Sequence, residues 1–361
     1  MIGFWSDIMQ NVNSIRTVHI ELTDKCQAQC PMCARNHNGG PTRSFITNSD
    51  ISVNYFKQWF GSQFLAQLNN FYSCGNYGDP VFAKDCLEIF QYVRECNPFT
   101  RLALHTNGSL RTQEWWEQLA RIFTDNSEVV FAVDGFKGKH ELYRKGTNFD
   151  KIISNIQSFT KAGGTARVDS LVFAHNEHEV DKLEQYLLDI GVTRVNFIST
   201  NRFYGEEKFS VIDKEKNFQY HLKPATQTRF KNVPNKDLNQ LLDSPTRQKI
   251  LRNSEIVPKC KEEQGVYVDP AGNIFPCCWF GSNYRENLIE EKEPLHALRN
   301  MMVQQNKEVM ADIGIPNCSS GILNQNTTIF DNLPEYWQGE NKCLTCSKQC
   351  SKLMFNSTRK I

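Results

Sequence analysis

The sequence has almost no net charge. Its 41 basic residues stand against 40 acidic ones, a balance of +1. No global field therefore draws in a phosphate backbone or an anionic lipid surface, and nucleic acid is not the expected partner. No run approaches the ~18 apolar residues of a membrane span. The first sixteen residues lack the basic start and unbroken apolar stretch of a secretory signal. A soluble, cytoplasmic chain with no membrane partner is expected. There is no internal repeat or low-complexity tract, and with 40% hydrophobic and 22% charged residues the composition is that of an ordinary globular protein.

What the chain does have is cysteine, 13 residues of it. In a reducing compartment, clustered thiols bind metal or do chemistry more often than they form disulfides. A chain of 361 residues also exceeds what one core usually serves, so a large domain with a smaller one is the default. The reading divides it into an N-terminal segment (1–17), a core (18–200), a connector (201–257) and a Cys-rich region (258–361).

From Val18 to Ser199, short apolar runs alternate with segments of helical period, the pattern of repeated βα units around a parallel sheet. Strands are expected at Val18–Leu22, Phe71–Cys74, Arg101–Thr106, Glu128–Val133, Ala166–Phe173 and Arg194–Ile198. Helices are expected at Val53–Leu68, Ala83–Glu95, Thr112–Phe123, Phe149–Ala162 and Val180–Ile190. In such a fold the loops leaving the C-terminal ends of the strands build the site. From Asn201 to Pro258 the chain turns polar without a strand period, reading as a connector with a helix near Leu238–Asn253. Beyond it, a hairpin is expected at Val266–Phe275, turning on Pro270–Asn273.

The loop after the first strand carries Cys26, Cys30 and Cys33, spaced C-x3-C-x2-C. Three thiolates on one short loop can hold three irons of a cubane and leave the fourth open to a small molecule. A zinc site or three unrelated buried thiols are the plainer readings. No further Cys follows Cys33 until Cys74.

These residues resemble the signature of the radical S-adenosylmethionine (SAM) superfamily, and the resemblance covers Val18–Ser199. It implies an α/β fold, a partial (β/α)6 TIM-like barrel with a small Cys-rich extension. It also implies a 4Fe-4S cluster on Cys26, Cys30 and Cys33, with SAM at the open iron. Cys74–Pro80 is similar to the family's Gly-Gly-Glu-Pro motif, which gives Gly75, Gly78 and Asp79 to the SAM amino group. His105–Gly108 is similar to its Thr-Asn-Gly turn, placing Asn107 at the cofactor pocket. Ala132–Gly135 is similar to the Ser-x-Asp-Gly of peptide-modifying members, which marks Asp134. Arg144, just after it, is suited to pair bidentately with the SAM carboxylate; the bland reading of each motif is a turn or a solvated side chain.

Near the end of the chain, Cys260, Gly272 and Cys277, then Cys343, Cys346 and Cys350, resemble the SPASM and shorter Twitch extensions that carry auxiliary clusters. The resemblance implies a second 4Fe-4S cluster on Cys260, Cys277, Cys343 and Cys346, with Cys350, Cys278 and Cys318 as substitutes; on spacing alone, structural zinc fits equally well. The implied activity is reductive cleavage of SAM to a 5′-deoxyadenosyl radical, which takes a hydrogen atom from the substrate. The expected partners are SAM, an electron donor such as flavodoxin or ferredoxin, and a substrate. An oxidatively modified peptide or protein side chain comes first, and a dehydrogenated polyol or aminocyclitol second. The short segment before the first strand weighs against the peptide. A non-catalytic zinc adaptor is the reading from another class.

Overall fold

The structure is a computed structural model that describes residues 12–124, 126–200, 202–203, 206–230, 245–286, 294–322, 330, 332–339 and 341–351. Its contacts divide into two compact units, one of Ile20–Phe56 with Asn70–Asn232, the other of Met1–His19, Lys57–Asn69 and Val233–Ile361. The first unit thus lies in two stretches of chain and the second in three, so neither is a single continuous segment.

In the first unit the alternation of apolar runs and helical segments becomes β1 (Thr17–Ile20), β2 (Asn70–Ser73), β3 (Arg101–Thr106), β4 (Glu128–Ala132), β5 (Ala166–Val172) and β6 (Val192–Ser199), of which β1 enters the unit with Ile20. Strands β2 to β6 pair in parallel, each with the next. The Ser73 hydroxyl donates to the Ile20 carbonyl at 2.8 Å. An α/β unit of the radical SAM type, a partial barrel, is the result expected from the sequence.

The period-2 strand pattern sorts the two faces of the sheet. Along β5, Ala166, Val168, Ser170 and Val172 are buried while Arg167, Asp169 and Leu171 are half-buried. The buried face meets helices packed through aromatics. Phe71 and Phe90 rings stand 5.6 Å apart, Phe90 and Phe123 5.0 Å, and Trp116 and Phe131 5.1 Å. Each such ring stabilises the unit by about 2 kcal/mol through burial. The opposite face is polar: Arg101 pairs with Glu128 at 2.5 Å, and Asn196 donates to Asp169 at 2.8 Å.

The helices stop where local chemistry stops them. Phe149–Lys161 is capped by Asn148, whose side chain accepts from the Lys151 amide at 3.0 Å. The single helix expected at Val53–Leu68 is two, Val53–Trp59 and Ser62–Ala66. Gly61 holds an extended conformation (φ −64°, ψ 159°) between them, which a continuing helix could not contain.

The expected connector contains a hairpin instead of helices alone, with β7 (Phe209–Ile212) antiparallel to β8 (Phe218–Leu222). Lys, Asn and Gln on its solvent side mask the alternation that buries Val211 and Leu222. The helix expected near Leu238–Asn253 is seen from Pro245 to Asn253; residues 238–244 of that prediction, and residues 1–11 of the N-terminal segment, lie outside the described residues.

In the second unit the expected hairpin is present, β9 (Gly265–Val268) against β10 (Ile274–Phe275), with Val268 opposite Ile274. Asp269 organises its turn, one carboxylate oxygen accepting from the Ala271 and Asn273 amides at 2.9 Å each. Gln264, just before β9, accepts from the amides of Arg16 and Thr17.

Candidate functional site

The loop that follows β1 is fixed at its base by a buried carboxylate. Asp24 accepts from the Thr47 amide (3.0 Å), the Thr47 hydroxyl (2.9 Å) and the Ser49 amide (2.7 Å), and Arg35 donates to its carbonyl. Farther along, the Lys25 carbonyl accepts from the Asp79 amide at 2.9 Å, and the Gln29 amide donates to the Lys145 carbonyl at 2.7 Å. Two other strand-end loops thereby grip this one from both sides.

Cys26, Cys30 and Cys33 share one apolar cluster with Ala28, Met32, Tyr143, Phe173, Phe203, Val211 and Leu222. Burial pushes the Cys30 thiol up to about 11, partly offset by Arg144. It pushes Cys26 well up too, with Asp79, Cys30 and Cys33 adding to the effect. Three thiolates in such surroundings need positive charge beside them. The donor set, sulfur only and on one turn closed by the Cys33 amide donating to the Cys30 carbonyl (3.1 Å), fits iron of a cubane.

Gly75 and Gly78 are required by close backbone approach. A Cβ on Gly78 would lie 1.8 Å from the Thr23 carbonyl oxygen, and one on Gly75 would lie 2.0 Å from that of Gly78. Asp79 turns inward. One carboxylate oxygen accepts from the Thr106 hydroxyl (2.8 Å) and the Val81 amide (3.1 Å), the other from the Asn107 amide (2.7 Å) and the Asn107 side chain. Four donors fill the lone pairs of a carboxylate. Here Asp79 organises the turn after β3, while the sequence pointed it at a cofactor amino group.

Asn107 links three parts of the site. Its side-chain oxygen accepts from Gln27 at 2.7 Å, and its amide nitrogen donates to Asp79 and stands 3.8 Å from the Cys26 sulfur. Glu21, fully buried, accepts from the amides of Tyr77 (2.7 Å) and Gly78 (2.9 Å). Sequence reasoning missed Glu21; an acidic residue ending an otherwise apolar strand was the available signal.

Asp134 is fully buried and accepts from the Leu171 amide and from Arg144 Nε, each at 2.6 Å. The Arg144 charge is the largest influence holding the Cys30 thiol down, and its guanidinium lies 5.2 Å from the centre of the Tyr143 ring. Burial alone would loosen its proton, and the Asp134 carboxylate more than offsets that. The fold thus brings Cys26, Cys30, Cys33, Gly78, Asp79, Asn107, Asp134 and Arg144 together; Gly75 touches them only through Gly78. The rings of Tyr143, Phe173 and Phe203 and the β7–β8 hairpin were not anticipated, and they keep water from the thiols.

The second unit holds the other cysteines. Cys260 lies on the short helix Lys259–Glu262 and Cys277 follows β10. Cys343 caps the helix Leu344–Cys350, which carries Cys346 and Cys350 one turn apart. Burial raises Cys260, with Cys277 and Cys350 adding to it, and carries Cys277 up to about 12. Cys343 and Cys346 act on each other, lowering Cys343 and raising Cys346, and Cys277 and Cys260 act on Cys346 as well. Four expected ligands and Cys350 therefore share one neighbourhood. Buried Cys318 stands apart, its amide donating to the Gly272 carbonyl at 2.8 Å and Asp269 the charge acting on its thiol. Among the described residues, no three Cys, His, Asp or Glu side chains are arranged around a single metal ion. Among them also, no helix is long and apolar enough to cross a membrane.

Comparison with known proteins converges on the first unit. Residues 20–187 match the model of the radical SAM superfamily. A GTP 3′,8-cyclase of Aquifex aeolicus (strain VF5) is 20% identical over 318 residues, 83% of this chain and 97% of that one. A probable GTP 3′,8-cyclase of Methanocaldococcus jannaschii is 24% identical over 187 residues, 49% of this chain and 56% of that one. Among solved structures, native anSMEcpe with bound AdoMet superposes with a TM-score of 0.52 at 14% identity, covering 96% of this chain and 91% of that one, a likeness of fold alone. SuiB of Streptococcus suis bound to S-adenosylmethionine gives a TM-score of 0.47 at 14% identity, over 73% of this chain and 60% of SuiB. Members of the superfamily are enzymes, and the part of this chain that matches their model, residues 20–187, is a little under half of its length.

Proposed function

We propose that the protein is a radical SAM enzyme that oxidatively modifies a side chain of a peptide or protein substrate. The observation that carries the first half is the grouping of Cys26, Cys30 and Cys33 on one loop, in one apolar cluster that holds no other cysteine among the described residues. A cubane held there has one iron free for SAM. When bound, cluster and cofactor supply reductive cleavage to a 5′-deoxyadenosyl radical that takes a hydrogen atom from the substrate.

The chain's own residues prepare the place. Cys26, Cys30 and Cys33 would hold iron, Asn107 donates toward the Cys26 sulfur and the Arg144 charge acts on Cys30. Asp79 and Glu21 fix the loops around them, Gly75 and Gly78 let those loops meet, and the aromatic wall excludes water, which would quench the radical. Cys260, Cys277, Cys343 and Cys346 would hold an auxiliary 4Fe-4S cluster, whose chemistry there would be to take up the electron the substrate gives up, making the net change an oxidation. Flavodoxin or ferredoxin reduces the first cluster.

The peptide reading is supported by the likeness of Ala132–Gly135 to the motif of peptide-modifying members. A nucleotide is the runner-up, because the cyclase matched over 97% of its length acts on GTP by name. The test is anaerobic reconstitution followed by dithionite reduction with SAM. About eight irons per chain and formation of 5′-deoxyadenosine are expected. A colourless zinc protein that leaves SAM intact would refute the reading. Adding short peptides encoded beside the gene in one arm and GTP in another then decides the substrate class by mass change.

A further inference from the structure

Asp134, His140, Thr147 and Arg144 close a ring of hydrogen bonds beside Cys30. The Asp134 amide donates to His140 Nδ1 at 3.1 Å. His140 Nε2 is 3.0 Å from the Thr147 hydroxyl, which donates to the Arg144 carbonyl at 2.6 Å. Arg144 Nε closes the ring on Asp134 at 2.6 Å.

The direction of travel around this ring is forced. A backbone amide can only donate, so His140 Nδ1 accepts. An imidazole with an accepting Nδ1 is neutral and carries its proton on Nε2, which then donates to the Thr147 oxygen. The hydroxyl's own proton is committed to the Arg144 carbonyl, leaving its oxygen free to receive that donation. Burial agrees, holding His140 down to about 4 against the charges of Asp134 and Glu141, with the Arg144 cation adding to the lowering. Every member of the ring has one role and no alternative.

We propose that His140 and Thr147 are positioning residues that hold Arg144, by its carbonyl and through the Asp134 it pairs with, in place against the Cys30 sulfur. This rests on the reading of Cys30 as a cluster ligand. Hydrogen bonds to the sulfurs and nearby charge are among the factors that set the reduction potential of an iron–sulfur cluster. A guanidinium fixed there eases reduction, and one that swings free does not. Neither His140 nor Thr147 touches iron or SAM.

The experiment pairs Thr147→Val, which deletes the hydroxyl at nearly constant volume, with Thr147→Ser, which keeps it. The potential of the cluster is measured by EPR-monitored titration of the reconstituted enzyme. The 15N imidazole spectrum of the unloaded wild-type protein gives the His140 tautomer. The expected results are a more negative potential in Thr147→Val, recovery in Thr147→Ser, and a proton on His140 Nε2. An unchanged potential in a Thr147→Val protein that has merely lost thermal stability would reduce the ring to a structural role. A proton on Nδ1 would break it outright, and that measurement decides should Thr147→Val not fold. Failure of the wild-type protein to load iron on the Cys26–Cys33 loop would instead sink the functional reading.

Discussion

The two groups of cysteines are built in opposite ways. Cys26, Cys30 and Cys33 lie within eight residues of one another, on a loop whose carbonyls and amides are tied down by Asp79 and Lys145. Cys260, Cys277, Cys343 and Cys346 come from a short helix, a strand end and a helix start, and they meet only when three separate stretches of chain have folded. The first group depends on local geometry and the second on the fold. Losing one thiol should therefore be felt differently in each.

The largest effect is expected at the first group. Cys30→Ala removes the ligand that Arg144 touches and should abolish 5′-deoxyadenosine formation while the protein remains folded, since the loop keeps its anchors at Asp24 and Gln29. Chromatographic assay of the reduced enzyme measures this; cleavage at the wild-type rate would break the assignment of that loop. The second group should respond more selectively. Cys343→Ala with Cys346→Ala should leave SAM cleavage measurable and stop substrate turnover, with the iron content falling from about eight toward about four per chain. Full turnover in that variant would make the second group structural and erase the functional side of the contrast.

The same contrast explains what the sequence could and could not tell. The Cys26–Cys33 motif is contiguous, so its spacing alone pointed to the chemistry, and β3 was legible to the residue because Arg101–Thr106 is apolar between polar ends. The partners that make the site work are scattered: Glu21, Asn107 toward Cys26, the ring through His140, and the apolar side of β7 and β8. Glu21 and Asn107 act across long stretches of chain, on Tyr77 and Cys26, while the His140 ring closes over short ones through side-chain geometry, and single-sequence periodicity carries neither kind of information. Asp79 shows the limit most clearly. The motif marks its place in the chain, but its bonds to Thr106, Val81 and Asn107 exist only in the fold.

A smaller effect separates the two regions through their glycines. Gly78→Ala would press a methyl into the Thr23 carbonyl, 1.8 Å away, where both partners are backbone and neither can rotate aside. The loop that carries Cys26 must then move, at a cost of about 3 kcal/mol, and SAM affinity should fall with stability. Gly272, in the β9–β10 turn, has φ +82°, and a Cβ there would meet side chains alone, the edge of the Trp59 ring at 3.0 Å and Asn317 Oδ1 at 3.4 Å. Gly272→Ala should cost about 1 kcal/mol for the left-handed backbone and leave SAM binding untouched. Thermal melts of both variants, with SAM titrations alongside, check the pair. Equal losses in the two would mean that the first site tolerates displacement of its loops as readily as a surface turn does, which the close approach of Gly78 to Thr23 argues against.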